Sequence, residues 1–132
     1  MLISAARLAA ILADRLDPIA PRPFRVTARG TDLVIEHPHN WGCVMDVSWI
    51  EDDREDRTAA QLTGLVVGNA LNELQDAVSE SSKDPWPALS PTMMAPYDVR
   101  SDGTSVFFWY GTSETTPMIG FTPIALSEVA RA

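Results

Sequence analysis

The sequence predicts an α+β fold in which helices pack on one curved antiparallel sheet, and three observations lead to it. The first is an uninterrupted helical stretch from about Arg57 to Ser82. The second is the alternation of apolar and polar residues on both sides of this stretch, which is typical of strands. The third is the Asp102-Gly103 step, a strong signal for a tight hairpin. Amphipathic helices need an apolar surface to cover, and an antiparallel sheet supplies one.

Length and composition are those of one ordinary domain, and we assign residues 1–132 to a single α+β domain. The chain has 132 residues, of which 45% are hydrophobic and 21% are charged. Its formal net charge of -8 disfavours binding to the phosphate backbone of nucleic acids or to an anionic membrane surface. We therefore expect neither a nucleic-acid partner nor a membrane partner.

Cysteine usage and hydropathy predict a cytoplasmic location. The one cysteine, Cys43, excludes an internal disulfide and fits a reducing compartment. No window approaches the length of a membrane span. The short apolar run near the N-terminus ends at Asp14 and is not typical of a signal peptide.

Before the long helix, the pattern predicts one helix and a three-stranded antiparallel meander. Apolar residues spaced three and four apart predict a helix from Ser4 to Leu16, with the Ser4 hydroxyl as its N-cap. The predicted strands cover 24–29, 33–36 and 43–50. The acidic run 51–56 follows, and we interpret its carboxylates as stabilising the N-terminus of the long helix.

The long helix has one apolar stripe, which identifies the face that packs on the protein. The stripe consists of Val67, Leu71, Leu74 and Val78. The proline-containing sequence 84–87 ends the helix, and we interpret 84–96 as a loop. Trp86 should fold back onto the protein, because so large an aromatic side chain is rarely left in solvent.

Two to three further antiparallel strands and a short helix complete the predicted fold. Strands over 97–100 and 106–110 flank the Asp102-Gly103 turn, and a last short strand covers 118–121. Thr122 and Pro123 can start a closing helix that reaches Arg131, since threonine caps a helix and proline fits its first turn.

The densest group of ligand-type side chains is Glu36, His37, His39 and Cys43. Imidazole and thiolate are ligands of zinc, and a cysteine beside a histidine can act as a nucleophile. The spacing matches no specific metal or catalytic motif, and the simpler interpretation is two exposed turn histidines and a buried cysteine. We expect no cofactor and no catalytic residue, and keep His37, His39 and Cys43 as the candidate metal ligands.

Two features indicate a partner surface. Ala60, Gly64 and Gly68 form a row of small residues on the long helix, which suits close packing on the protein's own sheet, on its first helix or on another subunit. The run 106–110 is apolar on both faces of its strand, so it is either covered on both faces or exposed as a binding patch. A second copy, a peptide or the C-terminal segment can supply the missing cover. Gly64, Gly68, Phe107 and Trp109 are therefore the candidate partner-binding residues.

The order of elements resembles the type III secretion chaperone-like fold. The resemblance lies in the succession of helix, three antiparallel strands, long helix, further strands and closing helix over nearly the whole chain. It implies a module that binds extended segments of partner proteins and is often a dimer. Because it is topological, it carries no functional residue over to this chain.

These observations favour a non-catalytic protein-binding or chaperone-like module that forms a homodimer. Its partner is a protein or a second copy of itself. Two alternatives stay open: a small metal-binding domain or enzyme centred on His37, His39 and Cys43, and a small-molecule sensor with a pocket between the sheet and the long helix.

Overall fold

Helices and strands follow one another in the predicted order, and the α+β class is confirmed. The computed structural model describes residues 1–53 and 56–131, without the side chains of Asn40 and Trp41. The first half contains α1 (Ala5–Leu16), β1 (Arg25–Arg29), β2 (Asp32–His37), β3 (Asn40–Asp46) and α2 (Ala59–Ser82). The second half contains β4 (Ala88–Ser90), β5 (Met93–Met94), β6 (Tyr97–Ser101), β7 (Ser105–Tyr110), β8 (Ile119–Gly120), β9 (Ile124–Ala125) and α3 (Leu126–Val129).

The described strands form three antiparallel sheets, where one curved sheet was expected. Strands β1, β2 and β3 form the predicted meander. Strands β4 and β5 form a small hairpin, and β6 to β9 form the third sheet. Helix α2 contacts strands of both larger sheets, so the helix joins two sheets that do not share hydrogen bonds. One buried apolar cluster connects both larger sheets with all three helices.

Helix α1 begins and packs as predicted. The Ser4 hydroxyl accepts a hydrogen bond from the Arg7 amide at 3.2 Å. Leu8, Leu12 and Leu16 are fully buried, and the helix packs against β1 and β2. The spacing of leucines at every fourth residue therefore identified the buried face correctly.

Helix α2 has the predicted buried stripe, but the acidic run does not cap it. Thr58 is the N-cap, and it forms a reciprocal capping box with Gln61. No acidic residue lies in the first turn. Asp53 instead pairs with Arg57 at 2.9 Å. The carboxylates in the described part of 51–56 therefore do not cap the helix, because Thr58 and Gln61 form its capping box.

Three predicted boundaries are corrected by local hydrogen bonds. The third strand ends at Asp46, because its carboxylate accepts from the Ser48 amide at 2.8 Å and a 3₁₀ turn follows. The predicted loop 84–96 contains the β4–β5 hairpin. The closing helix is only α3, with Ala125 as its N-cap, since the preceding residues pair with β7 as strand β9.

The predicted return of Trp86 to the protein is confirmed. Its ring packs edge-on against Tyr110, with 5.6 Å between ring centroids. The Ser79 hydroxyl accepts from the Trp86 amide at 2.9 Å. These contacts attach the end of α2 to the strands that follow.

Asp17 joins the end of α1 to the first sheet, and its loss should destabilise the fold in a pH-dependent way. Its carboxylate accepts from the Val26 amide at 2.8 Å and pairs with Arg25 and Arg22 at 3.1 and 3.2 Å. Partial burial raises the pKa of Asp17, but the Val26 amide and the two guanidinium groups outweigh it and lower the pKa below its usual 3.8.

We expect Asp17→Asn to lower the free energy of unfolding by about 1 kcal/mol near neutral pH. A lowered folded-state pKa stabilises the protein above the unfolded-state value and loses this effect as pH falls through the folded-state pKa. The difference between variant and wild type in urea unfolding should therefore shrink below pH 3.8. Asp14→Asn, an exposed position in the last turns of α1, is the control. An equal loss in both variants would contradict the prediction.

Candidate functional site

The predicted small-residue row of α2 packs against β6. A Cβ atom built on Gly64 would lie 3.7 Å from Val99 Cγ1, and one on Gly68 would lie 3.8 Å from Val99 Cγ2. Both distances are ordinary van der Waals contacts, so alanine would fit at either position. Packing on the protein's own sheet therefore explains where the row lies, but it does not require glycine.

An open groove of about 480 Å³ runs beside this row, between α2 and β6. Its lining residues are Arg57, Ala60, Gln61, Gly64, Leu65, Val99 and Ser101, and we refer to it as the α2–β6 groove. Leu65 forms an apolar part of the lining and leaves 43% of its surface exposed. The groove lies where a pocket between sheet and helix was expected, but its exposed lining makes it a surface feature rather than an enclosed cavity.

The α2 side of the groove carries little charge. From Thr58 to Asn72 the sequence contains no charged residue, although the whole chain has a formal net charge of -8. Exposed positions of this segment are Thr58, Gln61, Leu65 and Asn69. A helix face that only meets water is usually rich in charged residues. This half of α2 therefore differs from an ordinary solvated face.

Strand β6 lies at an edge of its sheet. It pairs with β7 along its whole length, and β8 and β9 pair with the other side of β7. The Asp102 amide donates to the Ser105 carbonyl, and the Gly111 amide donates to the Pro96 carbonyl. Antiparallel hydrogen bonds alternate along a strand, so the backbone groups of Tyr97, Val99 and Ser101 face away from β7. We refer to these groups as the free edge of β6.

One donor on the free edge already has an intramolecular partner. The Val99 amide donates to the Asp98 carboxylate at 2.8 Å. This bond agrees with an outward-facing amide, because an amide turned toward β7 would bond to the backbone of that strand. A carboxylate on an edge strand also discourages unspecific pairing with other chains.

The C-terminal segment covers the aromatic strand that was expected to be apolar on both faces. Trp109 pairs with Gly120 of β8 and is only 8% exposed. A Cβ atom on Gly120 would lie 3.0 Å from Pro117, so the returning loop approaches closely there. Phe107 is half-buried beneath the guanidinium of Arg100, which lies 4.3 Å from the ring centroid.

The four candidate partner-binding residues therefore occupy two different faces. Gly64 and Gly68 contact β6 on the α2 side, whereas Phe107 pairs with Arg100 on the opposite face of the sheet. Their role in partner binding stays a prediction, and Trp109 contributes little exposed surface to it. Leu65 and the free edge of β6 were not identified from the sequence, although the charge-free segment 58–72 is a signal that could have indicated them.

The structure brings the two histidines together but not the complete candidate ligand set. The rings of His37 and His39 have centroids 6.0 Å apart, and His37 Nδ1 accepts from the His39 amide at 3.1 Å. Cys43 instead points toward α2, where its thiol donates to Glu73 Oε2 at 3.0 Å. Residues 1–53 and 56–131 contain no group of three histidine, cysteine, aspartate or glutamate side chains that could hold a metal ion.

The environment of Cys43 disfavours a nucleophilic role. Burial, and then the neighbouring Glu73 carboxylate, raise the pKa of the thiol to about 12. A nucleophilic cysteine needs a lowered pKa, because the thiolate is the reactive form. At neutral pH Cys43 is a protonated, half-buried hydrogen-bond donor.

No helix in the described ranges combines the length and apolar character that a membrane crossing requires.

We predict that Cys43 reacts slowly with thiol reagents in the folded protein. With a pKa near 12 the thiolate is rare at pH 8, so reaction with Ellman's reagent should be at least about tenfold slower than in urea-unfolded protein. Glu73→Gln removes the carboxylate and should increase the rate in the folded state. A folded rate equal to the unfolded rate would contradict the prediction.

We also predict that Gly68→Ala stabilises the isolated protein. The new methyl group has room beside Val99, and alanine is the better helix former, so the free energy of unfolding should rise by about 0.5–1 kcal/mol. Gly111→Ala is the contrasting variant, because Gly111 has φ +126 and a Cβ there would lie 2.8 Å from the Met118 amide nitrogen. Urea unfolding at low protein concentration measures both, and a destabilised Gly68→Ala would show that the helix needs glycine for its internal packing.

Comparison with protein-family models, with curated proteins and with solved structures gave no match to this chain.

Proposed function

We propose that this chain is a non-catalytic protein-binding module, chaperone-like and homodimeric, which holds an extended polypeptide segment along β6. The observation that carries the proposal is the free edge of β6 beside the charge-poor α2–β6 groove. An extended segment that pairs with such an edge gains backbone hydrogen bonds, while pockets beside the edge select its side chains.

The free edge supplies the hydrogen-bonding groups for such a segment. Tyr97, Val99 and Ser101 present outward backbone groups at alternate positions, which is the spacing that an added antiparallel strand needs. A full ladder requires the Val99 amide to leave the Asp98 carboxylate. Because that bond is exposed to solvent, exchanging it for a backbone bond costs little.

The α2–β6 groove supports a preference for small or apolar side chains. Alternate side chains of an added strand would lie on the α2 side, where Gly64 leaves space and Leu65 offers apolar surface. The other side chains would lie beside Asp98 and Arg100, which favours a charged or polar segment on that face.

The expectations about dimerisation, cellular location, partners and cofactors form part of the same proposal. In the type III secretion chaperone-like fold, which the order of elements resembles, members bind extended segments and are often dimers. We propose a cytoplasmic protein with no nucleic-acid, membrane or cofactor partner, on the basis of its single cysteine and its net charge of -8. The metal and enzyme alternatives gain no support, because Cys43 bonds to Glu73 instead of joining the histidines.

Ser101→Pro tests binding at the free edge. Proline removes the outward amide of Ser101 while leaving the bonds to β7 in place, and it is tolerated at such positions of edge strands. Ser101→Ala is the matched control, because both variants lose the hydroxyl contacts with Ser105 and Gly103 but alanine keeps the amide.

The probe is a phage-displayed library of random decapeptides, selected on wild-type protein immobilised at low density. We expect selected peptides to bind Ser101→Ala as they bind wild type, and to lose about tenfold or more in affinity for Ser101→Pro. Circular dichroism checks that both variants fold. Peptides that bind all three proteins equally would contradict strand addition at β6.

A further inference from the structure

We infer that the segment which pairs with β6 is β6 of a second copy, related by a two-fold axis at Val99. This inference rests on the proposed function, because it uses the same free edge. It identifies the partner, the register and the charge pairs that select the register.

Hydrogen bonding restricts the registers that two copies of β6 can adopt. Outward-facing residues must lie opposite outward-facing residues, so Tyr97, Val99 and Ser101 can only pair among themselves. With the axis at Val99, Val99 faces its own counterpart and Tyr97 faces Ser101 of the second copy. This register overlaps the whole of β6, and symmetric pairing is the usual arrangement of homodimers.

Charge selects this register over its neighbours. With the axis at Val99, Asp98 lies opposite Arg100 of the second copy, and the symmetry repeats the pair. These are non-hydrogen-bonded positions, where opposite side chains approach most closely. Moving the axis to Asp98 would place two aspartates opposite each other, and moving it to Arg100 would place two arginines opposite each other. Each shift replaces attraction by repulsion.

Helix α2 is suited to the same arrangement. It contacts both β6 and β7, with Gly64 and Gly68 against Val99. Neighbouring strands lie about 4.8 Å apart, so helices that each lie above the β6–β7 pair would have axes about two strand spacings apart on one face of the joined sheet. Helices pack at about 8–10 Å, and small residues favour the close end of that range.

The charge balance of the two molecules favours this surface. Two copies with a net charge of -8 each repel one another, so a stable contact needs a surface without excess negative charge. The segment from Thr58 to Asn72 carries no charge, and Asp98 and Arg100 cancel within one strand. The exposed Leu65 adds apolar surface that would be buried in the pair.

A charge-exchange experiment tests the register. Asp98→Arg places arginine opposite arginine twice, and Arg100→Asp places aspartate opposite aspartate twice. Each variant alone should weaken the dimer by about tenfold or more, because two attractive cross-strand pairs become repulsive. An equimolar mixture of the two variants restores both attractive pairs, so it should form a heterodimer with an affinity within a few-fold of wild type. Sedimentation velocity at high micromolar concentration measures all three samples.

Two further variants keep the test independent of local folding defects. Arg100 also contacts Glu114 at 2.5 Å within the molecule, and Glu114→Gln removes that contact while leaving the proposed register unchanged. It should dimerise at least as tightly as wild type. Leu65→Glu places a new charge on the α2 contact without altering β6, and it should weaken the dimer about tenfold.

The outcomes separate this inference from the proposed function. Heterodimer formation in the mixture, with both single variants monomeric, supports the Val99 register. A wild-type monomer at high micromolar concentration, or a mixture no better than the single variants, overturns it. If wild type is monomeric but still selects peptides that Ser101→Pro loses, strand addition stands, while the homodimer and the second copy at β6 are overturned. A Ser101→Pro variant that dimerises like wild type overturns the second copy at β6, whereas strand addition fails only if this variant also keeps the selected peptides.

Discussion

The packing of α2 on the third sheet is the interaction on which the candidate site depends. The Tyr110 hydroxyl donates to the Leu71 carbonyl at 2.6 Å, and Gln75 Nε2 donates to the Ala95 carbonyl at 2.6 Å, both in the interior. Because the two bonds lie one helical turn apart, they determine both the rotation of α2 and its position along the sheet. Rotating the helix would leave buried polar groups without partners, at a cost of about 1–3 kcal/mol each. The groove and the accessible strand beside it exist only in this position.

Periodicity predicted the helices well, because their burial repeats along the sequence. The leucines of α1 and the stripe of α2 lie in the core as expected. The predictions of strand and helix ends were wrong where a short-range hydrogen bond competes with the pattern of apolar and charged residues. Alternation continues past Asp46, but its carboxylate bonds to the Ser48 amide and ends the strand. Likewise, an acidic run suggested a dipole interaction, whereas Thr58 and Gln61 had already capped the helix.

The site was predictable only in part, since its two halves are distant in the sequence. Helical spacing indicated that Gly64 and Gly68 share a face, but no local pattern shows that Val99 lies against them. Trp109 pairs with Gly120 of β8 after the chain turns back beyond Tyr110, and a sequence pattern cannot show which strand such a turn brings alongside. Strand propensity predicts that 97–100 is extended, yet its place at the edge of a sheet follows only from the complete pairing order.

Strands β8 and β9 have a consequence for how far this sheet can grow. Each contributes two residues on the far side of β7, and strands this short are poor templates for another chain. Pairing of two molecules through β6 would leave only these short strands at the outer margins of the joined sheet. The assembly would then be closed, and fibrous polymerisation, the usual hazard of an accessible strand, would have no side of this sheet on which to continue.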